Sequence, residues 1–261
     1  MARVALVTGA GQGIGAAIAR RLLEEKFTGV VLLDRNGEAL ARQKAALAGL
    51  GEIETVTGDL LDESLPARAV AATLGRFGRL DALVNAAGNT ERGGIDDTTP
   101  EFFARMFNIN VRAPLFLIQE ALKPMRKAGA GAIVNISSML ALGGPPDLAT
   151  YSASKAALNT LTKAVANTVK RDGVRVNAIN LGWTHTEGED RVQMGHYGKG
   201  ADWAKDIGRR LPSGRMIEPA DVAGVVAFLV SPPARMMSGT IIDYEQIPFC
   251  TFDSHPALGP E

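Results

Sequence analysis

A tyrosine and a lysine lie four positions apart in the segment Tyr-Ser-Ala-Ser-Lys, as Tyr151 and Lys155. On a helix this spacing places both side chains on one face, with Cβ atoms about 5–6 Å apart. A cation about 4 Å from a phenol favours the phenolate by on the order of 4 kcal/mol, roughly three pKa units. The pair can therefore act as a base toward an alcohol proton. An exposed pair on a solvated helix is the alternative.

A serine thirteen positions before the tyrosine offers a hydrogen bond to the same alcohol oxygen. Ser138 ends the run Ala-Ile-Val-Asn-Ile-Ser-Ser, so we expect its hydroxyl at the carboxyl end of a strand. There it would stabilise a substrate oxygen on which charge develops. Ser137 is the alternative, but strand alternation sends its side chain to the opposite face and favours Ser138.

A glycine-rich turn follows the first apolar stretch of the chain. The segment Leu6–Gly15 reads Leu-Val-Thr-Gly-Ala-Gly-Gln-Gly-Ile-Gly and contains four glycines. Each glycine costs roughly 0.5–1 kcal/mol relative to alanine inside a regular element, so the cluster must allow a close backbone approach. Between a strand and a helix, such a turn fits the pyrophosphate of a dinucleotide. A tight turn without a ligand is the alternative.

An aspartate at the end of the second apolar run indicates which dinucleotide binds. Asp34 closes Val-Val-Leu-Leu-Asp, nineteen positions after Gly15, close to where dinucleotide-binding folds place a carboxylate on the ribose hydroxyls. The 2′-phosphate of NADP would meet this negative charge, which favours NAD, although Arg35 offsets part of the repulsion. A strand-end cap is the alternative role of Asp34.

Short apolar runs rich in β-branched residues alternate with longer amphipathic ones along the chain. This order predicts a doubly wound α/β fold, in which a parallel sheet of seven strands is covered by helices on both faces. The predicted strands are Val4–Val7, Val30–Leu33, Ile53–Thr57, Ala82–Asn85, Ala132–Ser137, Arg175–Asn180 and Thr240–Asp243. The predicted helices are Ile14–Lys26, Gly37–Leu50, Ser64–Phe77, Glu101–Lys127, Tyr151–Arg171 and Pro219–Val230.

Composition argues for one globular domain over residues 1–261 that acts on a small molecule. The chain is 46% hydrophobic and 21% charged, and its 28 basic residues balance 28 acidic ones, which argues against nucleic-acid and membrane partners. The first predicted strand leaves no room for a signal peptide, so we expect a cytoplasmic protein. The single cysteine, Cys250, excludes an internal disulfide and a cysteine metal site, and we expect it to pack near the C-terminus.

Three motifs in the same order resemble those of the short-chain dehydrogenase/reductase family. They are Thr-Gly-Ala-Gly-Gln-Gly-Ile-Gly at 8–15, Asn-Ala-Ala-Gly at 85–88 and Tyr-Ser-Ala-Ser-Lys at 151–155, and the resemblance extends from Ala2 to about Asp243. It implies a Rossmann-type fold, a nicotinamide cofactor and interconversion of an alcohol and a carbonyl. It also implies a homotetramer built on the last strand and paired long helices.

The resemblance implies roles for further residues. Asn110 matches the asparagine that holds a proton-relay water beside the lysine, and Asn108 and a plain helix-interior role are the alternatives. Tyr151 and Lys155 would also contact the cofactor. The remaining implied cofactor contacts are Gly9, Gln12, Gly13 and Ile14 at the diphosphate and nearby ribose, Asp59 and Leu60 at the adenine, Asn85, Ala87 and Gly88 along the adenosine and ribose, and Thr184 and Thr186 at the carboxamide or diphosphate.

Two segments depart from the family pattern. Leu181 stands where the family has proline before Gly182, so this turn is less rigid. Ile-Asp-Tyr-Glu-Gln-Ile-Pro-Phe, at 242–249, replaces the family's Asp-Gly-Gly. This edge of the site is therefore expected to differ in shape, and the tail could reach a neighbouring subunit.

The segment from Trp183 to Pro212 is too long for an ordinary connection and is predicted to be a substrate lid. Trp183 is expected at the mouth of the nicotinamide pocket, where its ring can stack on a sugar. His185, two positions later, is placed to hydrogen-bond a substrate hydroxyl. Packing within a closed lid is the alternative for both side chains.

The lid also contains histidine and acidic residues of the types that bind metal ions, but their spacing does not repeat as it does in a metal site. We therefore predict no metal. The groups are His185, His196, Glu187, Glu189 and Asp190.

The first functional hypothesis is an NAD-dependent dehydrogenase of a sugar, polyol or other polar hydroxylated substrate. Reduction of a 3-oxoacyl thioester is an alternative, against which Asp34 argues because family members perform it mostly with NADPH. A dinucleotide-binding sensor or scaffold without catalysis is an alternative of another class. It would usually lack catalytic residues, whereas Asn110, Ser138, Tyr151 and Lys155 are all present.

Overall fold

Seven parallel strands form one sheet in the computed structural model, which describes residues 2–248. The strands are β1 (Val4–Thr8), β2 (Gly29–Asp34), β3 (Glu52–Thr57), β4 (Ala82–Asn85), β5 (Gly131–Ser138), β6 (Val174–Leu181) and β7 (Ile241–Tyr244). Their order across the sheet is β3-β2-β1-β4-β5-β6-β7, so the chain reverses its direction of travel between β3 and β4. The predicted doubly wound parallel sheet is confirmed.

Helices cover both faces because the strands are apolar on both. In β1, Ala5 and Val7 face one core and Leu6 faces the other, and none of the three is exposed to solvent. The first core is closed by α1, α2 and α9, and the second by α3, α5 and α6. The helices are α1 (Gly13–Glu24), α2 (Gly37–Ala46), α3 (Leu65–Phe77), α4 (Pro100–Phe107), α5 (Ala113–Ala128), α6 (Ala149–Thr168), α7 (Glu187–Gly195), α8 (Trp203–Gly208) and α9 (Pro219–Leu229).

The single helix predicted over Glu101–Lys127 is wrong, because a π-helical turn at Asn108–Arg112 divides it into α4 and α5. Pro114 explains the wider turn. It has no backbone N–H to donate to the carbonyl of Asn110 four positions earlier, so the regular α-helical pattern cannot continue there. The π turn carries the buried side chain of Asn110.

The carboxyl ends of the strands lie at one edge of the sheet, where the connections carry the candidate site. The glycine-rich turn follows β1, the Asn-Ala-Ala-Gly segment overlaps the end of β4, and Ser138 is the last residue of β5. The predicted lid segment follows β6 and contains α7 and α8. Cys250 lies outside the described residues. Among residues 2–248, no helix is long and apolar enough to cross a membrane.

Candidate active site

The glycine-rich turn brings backbone rather than side chains to the edge of the sheet. Gly9 has a φ of 67°, and a Cβ there would lie 2.9 Å from the Cα of Ala87. A side chain at Gly15 would collide with the carbonyl of Gly9. α1 begins after Gln12 without a side-chain cap, so the first N–H groups of the helix are open to an anion. This turn fits a dinucleotide diphosphate.

Asp34 lies beside this turn at the end of β2. Its Oδ2 accepts a hydrogen bond from the backbone N–H of Gly11 at 3.0 Å, and its Oδ1 accepts one from Asn36 at 3.0 Å. The carboxylate therefore does act as a strand-end cap, the alternative raised from the sequence. Each carboxylate oxygen can accept a second hydrogen bond, so the capping contacts leave room for a ribose hydroxyl.

A chain of buried amides joins β4 to α6. The Nδ2 of Asn85 donates to Asn135 at 2.8 Å, and Asn135 donates to the hydroxyl of Thr162 at 2.9 Å. Within the described residues, the Oδ1 of Asn85 is buried and has no hydrogen-bond partner. Next to it, the Thr8 hydroxyl accepts from the backbone N–H of Ala87 at 3.0 Å.

Other predicted cofactor contacts lie along the same edge. A Cβ at Gly13 would lie 3.7 Å from the Cβ of Thr186, so the lid segment returns to the glycine-rich turn. Thr186 caps α7 by accepting from the N–H of Glu189 at 3.1 Å, and the Thr184 hydroxyl donates to the carbonyl of Gly182 at 3.1 Å. The remaining two lie after β3: Asp59 is exposed and Leu60 is buried.

Tyr151 and Lys155 both lie buried on α6, at 9% and 4% exposure. The ammonium of Lys155 donates to the carbonyl of Ile136 at 2.8 Å and lies 5.7 Å from the centre of the Tyr151 ring. Ser138 hydrogen-bonds the Tyr151 side chain and also accepts from the backbone N–H of Leu140 at 3.1 Å.

Ser137, the alternative serine, is directed elsewhere. Its hydroxyl donates to the backbone carbonyl of Lys155 at 3.3 Å. The alternation of the strand thus separates the two hydroxyls, and only Ser138 faces the phenol of Tyr151.

Burial raises the pKa of Tyr151 to about 12, and burial lowers the pKa of Lys155 to about 8. The hydrogen bond from Ser138 and the positive charge of Arg92 act to lower the pKa of Tyr151, and the negative charge of Glu189 raises it. Contrary to the expectation from the sequence, Lys155 is not among the protein's own groups that lower the pKa of Tyr151. The reason is that Lys155 lies over the ring and donates to a carbonyl, while both groups lose their hydration.

Asn110 joins three segments of the site. Its Oδ1 accepts from the backbone N–H of Asn89 at 2.7 Å, and its Nδ2 donates to the carbonyl of Asn89 at 2.9 Å and to Ser154 at 3.0 Å. A Cβ at Gly88 would lie 3.4 Å from Lys155 Nζ and 3.5 Å from Asn110 Oδ1. Asn110 and Lys155 therefore approach the same point beside Gly88.

The two lid side chains predicted to contact substrate are held by neighbouring acids of α7. Trp183 donates its indole N–H to Glu189 at 3.0 Å, and His185 Nε2 lies 3.0 Å from Asp190 Oδ1. Asp190 also accepts from the indole of Trp203 at 2.9 Å. Both side chains thus have packing and hydrogen-bonding partners within the lid, and contact with a substrate stays a prediction.

Several residues at this edge carry no signal in the sequence motifs. Arg92, in the connection after β4, lies 3.7 Å from Glu189, and its Nε donates to the hydroxyl of Tyr197 at 3.3 Å. After β7, the carboxylate of Glu245 leaves no room for a side chain at Gly182. These residues come from segments that are far apart in the sequence, and only the folded chain brings them together.

No group of three or more histidine, cysteine or acidic side chains within residues 2–248 is arranged to hold a metal ion.

The chain is similar over nearly its whole length to known oxidoreductases. A family model described as enoyl-(acyl carrier protein) reductase matches residues 9–245. A cis-4-hydroxycyclohexanecarboxylate dehydrogenase of Sinomonas cyclohexanicum is 36% identical over 244 residues, which cover 92% of this chain and 94% of that protein.

Solved structures agree in fold. A variant of actinorhodin polyketide ketoreductase with NADPH has a TM-score of 0.87 at 33% identity, over 93% of this chain and 95% of that one. An NAD⁺-bound xylitol dehydrogenase has a TM-score of 0.83 at 31% identity, over 92% and 96%. The chain therefore belongs to the short-chain dehydrogenase/reductase family, whose members are oxidoreductases that use a nicotinamide dinucleotide.

Proposed function

We propose that this protein is an NAD-dependent dehydrogenase that interconverts a secondary alcohol and a carbonyl on a sugar, polyol or other polar hydroxylated substrate. The observation that carries the reaction is the cluster of Ser138, Tyr151, Lys155 and Asn110 beside the glycine-rich turn. A sensor or scaffold without catalysis would have no use for this complete set.

The reaction follows from the positions of these groups. Ser138 holds the substrate oxygen by a hydrogen bond while the Tyr151 oxygen takes the hydroxyl proton. The cofactor would supply the hydride acceptor and a positive charge when bound. Lys155 adds a positive charge 5.7 Å from the centre of the Tyr151 ring, and the groups that lower the high pKa given to Tyr151 by burial are Ser138 and Arg92. Asn110 holds a water through which the proton leaves.

NAD is the proposed cofactor because Asp34 closes β2 beside the glycine-rich turn. The turn would hold the diphosphate through Gly9, Gln12, Gly13 and Ile14, with Thr184 and Thr186 at the opposite side. Among the similar structures one contains NAD⁺ and another NADPH, so the preference rests on the carboxylate of Asp34 itself.

The cofactor preference has a direct kinetic test. The kcat/KM with NAD is expected to exceed that with NADP at least about tenfold, which corresponds to about 1.4 kcal/mol. Asp34→Ala should reduce this ratio because it removes the charge that repels a 2′-phosphate. Equal use of both cofactors by the unmutated enzyme would contradict the assignment.

The polar substrate class is supported by the acids, the histidine and the tryptophans of the lid, and by the xylitol dehydrogenase among the similar structures. Reduction of a 3-oxoacyl thioester is the second candidate, favoured by the description of the family model and by the polyketide ketoreductase. A panel of sugars, polyols, simple ketones and 3-oxoacyl thioesters, followed by the absorbance of NADH or NADPH, distinguishes them. Activity confined to 3-oxoacyl thioesters with NADPH would contradict the proposal.

The protein is further proposed to act as a homotetramer in the cytoplasm on a free small-molecule substrate. The tetramer is supported by apolar side chains that α5 and α9 leave at the surface, among them Phe116 and Phe228 at 42% and 44% exposure. The cytoplasmic location rests on the sequence alone and stays a prediction.

A further inference from the structure

Two opposite charges face each other beside Tyr151, on segments that no family motif covers. Arg92 lies in the connection after β4 and Glu189 lies on α7 of the lid. Their side chains are only 13% and 17% exposed, and Nη2 of Arg92 lies 3.7 Å from Oε1 of Glu189. This distance is longer than the 2.7–2.9 Å of a charge-assisted hydrogen bond. The two groups are therefore close but are not hydrogen-bonded to each other.

Each of the two charged groups keeps one atom unused. Arg92 donates from Nη1 to the carbonyl of Thr90 at 2.7 Å and from Nε to Tyr197 at 3.3 Å, and its Nη2 finds no acceptor at hydrogen-bond distance in the described part of the chain. Glu189 accepts at Oε1 from Trp183 at 3.0 Å and from Gln193 at 2.7 Å, and no donor among residues 2–248 reaches its Oε2. One donor nitrogen and one acceptor oxygen thus belong to an ion pair at 3.7 Å, and neither has a hydrogen-bond partner among residues 2–248.

Both charges act on Tyr151, the residue that would take the substrate proton. The positive charge of Arg92 lowers the pKa of Tyr151 and the negative charge of Glu189 raises it, so both lie within electrostatic reach of the phenol. Tyr197 and the connection that carries Arg92 are further fixed by Asp147, just before α6: the Tyr197 hydroxyl donates to its carboxylate at 2.5 Å, and the N–H of Gly93 donates to its carbonyl at 2.8 Å. Asp147 lies four positions before Tyr151, so the connection that carries Arg92 is held beside the end of α6 at which Tyr151 would bind the substrate oxygen.

We propose that Arg92 and Glu189 bind a second hydroxyl group of the substrate, one that is not oxidised. The inference rests on the proposed function and narrows its substrate class to molecules with at least two hydroxyls. The second oxygen accepts from Nη2 of Arg92, and its proton is donated to the Glu189 carboxylate. The reacting hydroxyl lies at Ser138 and Tyr151.

A hydroxyl satisfies both charged groups through a single oxygen, which accepts from Arg92 and donates its proton to Glu189. An ether or carbonyl oxygen accepts from Arg92 but leaves Glu189 unpaired, and an ammonium donates to Glu189 but is repelled by Arg92. A carboxylate pairs with Arg92 but is repelled by Glu189. Because a largely buried group that loses its partner costs about 1–3 kcal/mol, the pair selects by rejecting substrates that leave one side unpaired.

The test compares substrates that differ only at the second oxygen. Cyclohexanol, the three positional isomers of cyclohexanediol, the monomethyl ether of each diol and the matching hydroxycyclohexanecarboxylic acids are offered with NAD. At least one diol is expected to exceed both cyclohexanol and its own ether about tenfold in kcat/KM. Preference for a matching hydroxy acid over every diol would overturn the proposal and assign Arg92 to an anion.

Three variants and a control identify the residues responsible. Arg92→Gln and Glu189→Gln should each reduce the preference for the diol over cyclohexanol to about threefold or less, and the double variant should reduce it no further, because one hydroxyl joins the pair. Glu189→Gln should also narrow the gap between diol and ether, since an amide can donate to an ether oxygen. Arg105→Gln breaks an exposed ion pair with Glu91 in the same connection and should keep the wild-type preference.

The outcomes separate this inference from the proposed function. Turnover of diols with a preference that the variants do not change would overturn the inference alone. Calorimetric binding of a diol to the enzyme with NADH, dependent on Arg92 and Glu189 but without turnover with NAD or NADP, would overturn the proposed function and leave the hydroxyl site standing. Neither turnover nor saturable binding of any diol would overturn both.

Discussion

The phenol of Tyr151 is the group on which the proposed chemistry depends, and its removal gives the most direct test. Tyr151→Phe keeps the ring packing and removes the proton acceptor. We expect kcat to fall by about 10²–10⁴-fold while the Kd for NADH changes by no more than about twofold. Stopped-flow turnover and NADH titration measure the two quantities. Retention of most of the activity with a good substrate would refute the mechanism.

Lys155 supplies a test at the same scale through the pH dependence of stability. Its pKa is about 8 in the native protein, whereas the ordinary pKa of a lysine is 10.5. At pH values between the two, the unfolded chain therefore binds a proton that the folded chain does not. The free energy of unfolding of the wild type should therefore rise with pH across this window, because the cost of burying the charge, on the order of 3 kcal/mol below pH 8, is relieved.

Lys155→Met removes this titration. The free energy of unfolding of the wild type should rise by about 2 kcal/mol from pH 7.5 to pH 9.5 relative to that of the variant, which has no such rise. Urea unfolding at both pH values measures the difference, and both lie below the range in which the raised pKa of Tyr151 contributes. Lys163→Met, an exposed lysine on the same helix, is the matched control and should show the wild-type slope. A difference that does not depend on pH would count against a buried, charged Lys155.

The π turn between α4 and α5 makes a prediction at the scale of elements. Asn110 lies on it and satisfies both backbone polar groups of Asn89. Asn110→Ala should lower the free energy of unfolding by about 1–2 kcal/mol, because the Asn89 groups lose their partner in a partly buried setting. Asn108→Ala, on the same turn, should change it by less than about 0.5 kcal/mol. Equal losses in both variants would assign the effect to the helix rather than to the hydrogen bonds.

The strands were predictable from the sequence because they are short segments rich in apolar and β-branched residues, such as Val-Ala-Leu-Val-Thr in β1. The predicted and observed ends of β1 differ by one residue, and the glycine-rich turn and Ser138 fall where expected. The π turn was not predictable, since it depends on the missing N–H of Pro114 and on partners of Asn110 that are 21 and 44 positions away. The ion pair of Arg92 with Glu189 was likewise not predictable, because the two residues lie far apart in the sequence and no local pattern indicates that they meet.

Two surface features, on α9 and at the edge of β7, indicate where copies of the chain would pack together. Helix α9 is apolar on nearly all sides, and Phe228 on it is 44% exposed. Within the described chain, β7 pairs only with β6, so the outer edge of the sheet offers unpaired backbone groups beside α9. Both features fit a second copy of the same chain packed against α9 and β7.

Phe228→Glu should therefore convert the expected tetramer into a smaller species while the far-ultraviolet circular dichroism stays unchanged. Size-exclusion chromatography with light scattering measures the mass. Leu50→Glu, which places the same charge on an exposed leucine just after α2, should leave the tetramer intact. A monomeric wild type would contradict the proposed assembly, and a tetrameric Phe228→Glu would exclude this face from it.

Both tryptophans of the chain, Trp183 and Trp203, lie in the lid, and their indole N–H groups bond to the adjacent carboxylates Glu189 and Asp190. Selective excitation of indole therefore yields fluorescence only from the segment that contains Trp183 and Trp203. A shift in the emission maximum or in its quenching by iodide would report lid movement on each addition of cofactor or substrate. The two tryptophans thus form an intrinsic fluorescent probe of the segment that we predict to cover Tyr151.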